Sequence, residues 1–340
     1  MIVPSSTRFL RLAFLLIALV FLIVLLIPFS GFIAIKFWGG HIQESAQLGD
    51  TFGGLMGPFI AMFAACLTFI AFYVQYQANQ QQKMDLEIER FESKFFELIN
   101  LHKQNVSEIK LEDGKQGREA FVSFYYELKL ANNLVESINQ TKNKLNKEGC
   151  NLLAYKVFFF GMGENSEKQY EVSDSEDSVL KDVKNVIITW RAHNQKEYFK
   201  LIVYKENVYQ LLENYKSSNN LIFDGHISQL SHYYRHLFQT VRFVVDQLPG
   251  SFTGVEREKK AREYLRILRA QLSNHEQILL YYNGSSIAKQ WFTKDYFTQY
   301  KMIHNIPLPL ADFGLPPNEH SEIITWREEN VNDDLFEWDG

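Results

Sequence analysis

Two histidines four residues apart, His232 and His236, stand in a segment that also carries Arg235 and Arg242. On a helix that spacing puts both imidazoles on one side, as in many zinc-binding pairs. A third ligand does not follow. His226 falls near the packing face, and Tyr233 stands where a His-Glu-x-x-His motif would have its glutamate. No metal is expected, and the pair reads as polar residues in a network within the chain. Arg235, Arg242, Arg262, Arg266 and Arg269 could hold an anion such as a phosphate, a nucleotide or RNA. Salt bridges to Asp246, Glu276 and other carboxylates are the competing use. A net charge of −5 over 340 residues argues against general nucleic-acid binding. Phe160-Gly161-Met162-Gly163 lacks the Lys and Ser/Thr of a phosphate loop, and no cofactor is expected. The candidates for binding a ligand or partner are His232, Arg235, His236, Arg242, Arg266, Arg269 and Glu276.

Two helices must carry these residues. In the first, Leu230, Tyr234, Leu237, Val241 and Val244 share one face. His232, Arg235, Gln239, Arg242 and Asp246 share the other, a ready hydrogen-bonding surface. The second is expected over Lys260 to Tyr282, with Leu265, Leu268, Leu272, Leu279 and Tyr282 on its packing side. Arg262, Arg266, Arg269, Ser273 and Glu276 line another side, and Tyr282-Asn283-Gly284 is a C-cap signal. Upstream, Ile88, Phe91, Phe95, Leu98, Val106 and Ile109 mark an amphipathic helix that a linker at Gly114 and Gly117 ends. A further helix is expected over Glu119 to Leu145. Phe158 to Gly161 leads to an acidic stretch, Ser173 to Asp177, that reads as a surface loop. Helical pattern resumes over Val179 to Tyr215, with a strand at Val186 to Trp190 as the alternative.

The N-terminal quarter differs in kind. Leu12 to Ile35 holds no charged residue, and neither does Thr51 to Tyr76 once past Asp50. A helix over the first spans roughly 36 Å, more than the ~30 Å hydrocarbon core of a bilayer. Two transmembrane helices, about 12–35 and 55–76, are therefore expected. A cleaved signal peptide would also suit Arg8 and Arg11, but no small-x-small site follows. Arg8 and Arg11 place the N-terminus in the cytoplasm, and two spans return the chain there. The two cysteines, Cys66 and Cys150, read as reduced thiols.

Gly49, Gly53, Gly57, Ala61 and Ala65 recur every four residues, a stripe over which another helix could approach closely. The partner would be a second copy of the chain or the first span. Pro58 complicates this: if the helix starts near it, Gly49 to Gly57 form a loop. The reading is thus a mainly α protein: 1–76, a membrane anchor; 77–320, a cytoplasmic helical domain; 321–340, an acidic tail. That tail mixes Glu322, Glu328, Glu329, Asp333 and Asp334 with Trp326, Leu335 and Phe336. It suits partner docking or a solvated terminus.

Several blocks together carry a family resemblance. They are Gly57-Pro58 with Leu67-Thr68-Phe69 and Tyr73-Val74-Gln75-Tyr76; Arg90-Phe91-Glu92 with Phe95-Phe96 and Leu98; Gly225-His226 with His232-Tyr233-Tyr234-Arg235-His236-Leu237; and Leu268-Arg269-Ala270-Gln271-Leu272-Ser273 with Glu276 and Tyr282-Asn283. The chain resembles the phage abortive infection proteins of bacteria, the AbiC-type family. The resemblance implies defence against bacteriophage at the bacterial inner membrane, and it implies no reaction. Membrane lipid, a second copy of the chain and a phage-derived trigger or defence partner protein are the expected partners; nucleic acid is not. A sensor and effector without catalysis is the expectation. The alternative rests on Arg269 and His275, whose spacing is similar to that of the HEPN ribonucleases. There an arginine stabilises charge and a histidine moves protons in phosphodiester cleavage. On one helix these two side chains stand about 120° apart.

Overall fold

A computed structural model describes residues 42–163, 171–193, 223–331 and 333–337, together with positions 22, 36 and 166. The described residues are mainly helical and form no strand. The chain divides into two compact units, Met1–Lys83 and Met84–Gly340.

In the first unit, the expected span at 12–35 lies outside the described residues. The second span falls within α1, Ile42–Glu108. From Gly57 this helix holds an 18-residue window of mean hydropathy 2.0 with none of it buried. By length and composition it could cross a bilayer. Phe59, Phe69 and Phe72 are all exposed. Thr68, a polar residue within the stretch, donates its hydroxyl to the Ala64 carbonyl at 2.8 Å, so the helix satisfies it internally. Pro58 lies inside α1 and does not begin it. Gly49 to Gly57 are helical, so the loop alternative falls away, and the five small residues share one continuous helix.

The second unit is built around a buried helix. α2 (Arg118–Lys142) packs on α3 (Lys147–Phe160), and α4 (Asp174–His193) packs on both. α5 (Ile227–Gln247) pairs with α6 (Gly254–Arg269) and touches α3. α7 (Asn274–Ser286) lies against α2 and α3, and every residue from Glu276 to Ser286 is buried. A helix enclosed on all sides cannot carry free polar groups cheaply. Most of those on α7 are engaged. Asn283 Nδ2 donates to Tyr155 Oη at 2.8 Å, Ser286 Oγ accepts from Asn151 at 3.0 Å, and Tyr281 Oη donates to the Leu315 carbonyl at 2.7 Å. Short helices α8 (Gln290–Thr293) and α9 (Ser321–Glu329) complete the unit, with 3₁₀ turns at Leu308–Leu310 and Pro317–Glu319.

Four expectations are corrected. The stretch Ser173 to Asp177 is a helix start. Ser173 N donates to Glu176 Oε2 at 2.8 Å, and Glu176 N donates to Ser173 Oγ at 3.4 Å, a capping box. The residues 186–190 are helical. Those at 194–215 lie outside the described residues. The single helix over Lys260 to Tyr282 is two helices, because Ser273 and Glu276 form a second capping box that starts α7. Gly284 lies inside α7 rather than capping it: a Cβ there would stand 2.3 Å from the Phe297 ring. Its lack of a side chain lets that ring lie on the helix.

The acidic segment docks on its own domain. Leu335 and Phe336 are buried. Asp333 pairs with Lys301 and, at 3.4 Å, with Arg262. The ion pairs hold its carboxyl below the usual range, against a burial cost.

Candidate functional site

The distinctive segment at Gly225 begins with a close backbone approach. Gly225 has φ +92, and Gly161, which ends α3, has φ +79. The two main chains touch. Met162 N donates to the Phe223 carbonyl at 3.0 Å, and His226 N donates to the Phe159 carbonyl at 2.8 Å. This junction fixes where α5 starts. His226 is buried against Phe124 and Phe158, its Nε2 3.0 Å from Glu127 Oε2.

From there α5 runs antiparallel to the end of α1. Gln229 Nε2 donates to the Lys110 carbonyl at 3.1 Å. Further along, the His102 and His236 rings stand 6.2 Å apart, and Phe91 stacks on Phe243 at 5.1 Å. An open groove of about 680 Å³ follows this seam. Asn105 and Glu108 line it from α1, Ile109 from just past its end, and His232, Tyr233, Arg235, His236 and Gln239 from α5.

Behind the groove lies a buried polar cluster. Glu276 is fully buried and accepts from Ser273 N at 2.8 Å and Tyr233 Oη at 3.2 Å. Burial raises its carboxyl pKa, and the bonds from Ser273 and Tyr233 oppose the rise. Arg118 Nε is 4.0 Å from Glu276 Oε2. His102 is 1% exposed, and neither of its ring nitrogens has a hydrogen bond; Nε2 lies 3.9 Å from Glu276 Oε1. Burial, then the charges of His236 and Arg118, push the His102 imidazole down to about 4, so it is neutral at pH 7. Both ring nitrogens of His236 also lack partners, and burial lowers its pKa.

The sequence candidates divide accordingly. His232, Arg235 and His236 line the groove, and Glu276 supports it through Tyr233. Arg242 pairs with Asp246 at 3.2 Å, one turn along its own helix. Arg266 is exposed on α6 and is not among the groove residues. Arg269 is an anchor: Nε donates to Asn305 Oδ1 and Nη1 to the Lys301 carbonyl, both at 2.6 Å. Burial lowers it to about 10, which leaves it charged at neutral pH. His275 packs on Tyr125 with ring centroids 5.0 Å apart, and burial lowers its pKa. Arg269 ends α6 and His275 lies in the first turn of α7, and each is engaged with different partners. Sequence reasoning missed His102, Asn105 and Glu108. The signal for His102 is its place on the buried face of α1 after Phe91, Phe95 and Ile99.

Glu276→Gln tests the cluster. The amide oxygen still accepts from Ser273 N, and the NH2 in place of the other oxygen can donate to Tyr233 Oη, so stability at pH 7 should change by no more than about 1 kcal/mol. A loss above about 3 kcal/mol in a denaturant titration would mean that the negative charge itself holds the cluster together.

The helices that build this site lie in one stretch of chain. Residues 225–309 match the family described as "Putative phage abortive infection protein". No curated protein and no solved structure matches the chain. The matched segment spans α5, α6, α7 and α8 and continues to the turn at Leu308. It therefore contains one groove wall and the buried helix behind it. The other wall, on α1, lies outside the match, as do the blocks at 57–58, 67–76 and 90–98.

Proposed function

We propose that this protein is a membrane-anchored phage-defence protein that works as a sensor and effector without catalysing a reaction. One observation carries the reading: a chain whose segment 225–309 matches an abortive-infection family also holds an apolar helical stretch with none of its surface buried. Burial in lipid is the cheapest way to remove such a surface from water. In this reading residues 1–76 are the anchor, with spans at 12–35 and 55–76 in the bacterial inner membrane and both termini in the cytoplasm. Residues 77–320 sense infection through a partner, and 321–340 accompany them. The stripe Gly49, Gly53, Gly57, Ala61 and Ala65 serves association between copies of the chain.

The arrangement of Arg269 and His275 gives no support to the ribonuclease alternative. Infected cells with and without the protein would be followed for membrane potential and RNA integrity together. Protection is expected with RNA intact and the potential lost. His275→Ala is expected to leave protection unchanged. RNA cleavage that depends on His275 would sink the reading.

A further inference from the structure

The surface that receives the terminal segment is built like a peptide-binding site. Residues 333–337 form neither helix nor strand, so their main-chain groups need partners elsewhere. The chain around Lys301 supplies them. The Leu335 carbonyl accepts from His304 Nδ1 at 2.7 Å, Glu337 N donates to the His304 carbonyl at 2.8 Å, and the Asp334 carbonyl accepts from Lys301 Nζ at 2.8 Å. The side chains are held as well. Asp333 pairs with Lys301 and Arg262, and Glu337 accepts from Asn305 Nδ2. Leu335 and Phe336 are each 1% exposed, and the Arg327 guanidinium lies 5.1 Å from the centre of the Phe336 ring. Two apolar anchors flanked by two held carboxylates are the layout of a short acidic motif on its receptor.

Three observations set this segment apart from ordinary core. Arg262, Lys301, His304 and Asn305, which receive it, all lie within the family-matched stretch 225–309, and the segment lies outside it. Val331, between α9 and the segment, is 81% exposed, so no packed side chain at that position resists a swing of the segment. Lys301 has φ +53, a strained conformation for a residue with a side chain and one that gathers at ligand clamps and switches. Arg269 fixes that conformation by donating to the Lys301 carbonyl at 2.6 Å. The Lys301 ammonium is thereby aimed at Asp333 and the Asp334 carbonyl, over the Trp326 ring at 5.9 Å.

We propose that this surface is a docking site for a partner protein carrying an acidic residue, one free position, Leu-Phe and a second acidic residue, and that residues 333–337 occupy it as an internal competitor. A tethered copy acts at an effective concentration of about millimolar. The site therefore stays closed until a partner with the same pattern, and further contacts of its own, displaces the segment. As a binding site this needs no reading of function; as the step that senses infection it rests on the sensor reading above.

Hydrogen exchange in the detergent-solubilised full chain is the first test. The Glu337 amide should exchange by local opening, indifferent to low denaturant, while the amides of α7 exchange only on global unfolding. A Glu337 amide that waits for global unfolding would make the segment a permanent part of the core and overturn the proposal. This measurement needs no variant, so it decides even if the variants below do not fold. A labelled synthetic peptide of residues 331–340 is then titrated by fluorescence anisotropy. Phe336→Ala in the full chain loosens the internal copy and should tighten peptide binding roughly tenfold or more. In that background Lys301→Gln, and Asp333→Asn in the peptide, should each weaken binding, and the two together no more than either alone. Equal affinity for the wild-type chain and Phe336→Ala, or additive losses, would overturn the proposal. Carbodiimide crosslinks from Asp333 to Lys301 that join differently tagged chains would assign the site to a second copy and overturn the partner. Peptide binding intact with RNA cleaved during infection would overturn the non-enzymatic reading and leave the docking site standing.

Discussion

Gly225→Ala will cost the second unit on the order of 3–5 kcal/mol, a large share of the usual margin of ~5–15 kcal/mol. The residue sits at φ +92, where a side chain costs about 1–3 kcal/mol in strain. Its Cβ would also stand 2.5 Å from the Phe160 carbonyl oxygen and 2.9 Å from Gly161 N. Both are backbone atoms, and neither can swing away. Relief requires parting the junction that holds the Met162–Phe223 and His226–Phe159 hydrogen bonds. Denaturant midpoints of the full chain in detergent measure the effect. A loss below about 1 kcal/mol would show that the junction yields.

Acid will destabilise the protein between about pH 6.5 and pH 4. His102 and His320 are both driven down to about 4 by burial, His320 with Lys289 as the lesser cause. The ring of His320 stacks on Phe292 at 4.1 Å. In the unfolded chain each takes up its proton near pH 6.5. The folded state refuses it, so stability falls as pH drops below 6.5 and levels off near 4. Each group contributes up to roughly 3 kcal/mol at ~1.4 kcal/mol per unit of pKa. His236, His275 and His304 shift the same way. Glu276 works in the opposite sense: its raised folded pKa favours folding as it becomes protonated, which offsets part of the loss. His102→Gln should remove its share of the slope. Stability that is flat between pH 7.5 and 4.5 would contradict these buried neutral imidazoles.

The apolar periodicity of α5 predicted most of its buried face: Leu230, Tyr234, Leu237, Val241 and Val244 are all buried, with Tyr233 and Thr240 beside them. Hydrophobic spacing reports burial directly, so this much was legible. The break between α6 and α7 was harder, because apolar spacing continues through Leu268 and Leu272 while Ser273 and Glu276 end one helix and begin the next. The capping box was present in the sequence but was masked by the stronger signal. Glu276 was placed on a polar side although it is fully buried. Periodicity cannot separate a polar residue facing water from one satisfied inside. The groove was half legible. Its α5 wall carried a recognisable motif, but its α1 wall depends on a helix more than a hundred residues earlier, and one sequence does not report that pairing.

The enclosure of α7 has a consequence during synthesis. Its neighbours come from far apart in the chain: Tyr155 bonds Asn283, Asn151 bonds Ser286, and Tyr125 packs on His275. α2 and α3 therefore leave the ribosome long before the helix that covers them. At roughly 5–20 residues per second, the interval between Phe160 and Leu315 is on the order of ten to thirty seconds. Throughout it the nascent chain displays Phe121, Phe124, Leu134 and Phe158, all buried in the finished fold. A translating ribosome that stalls in this window holds an aggregation-prone intermediate, so yield should depend on chaperones and translation speed more than the stability of the finished fold would indicate.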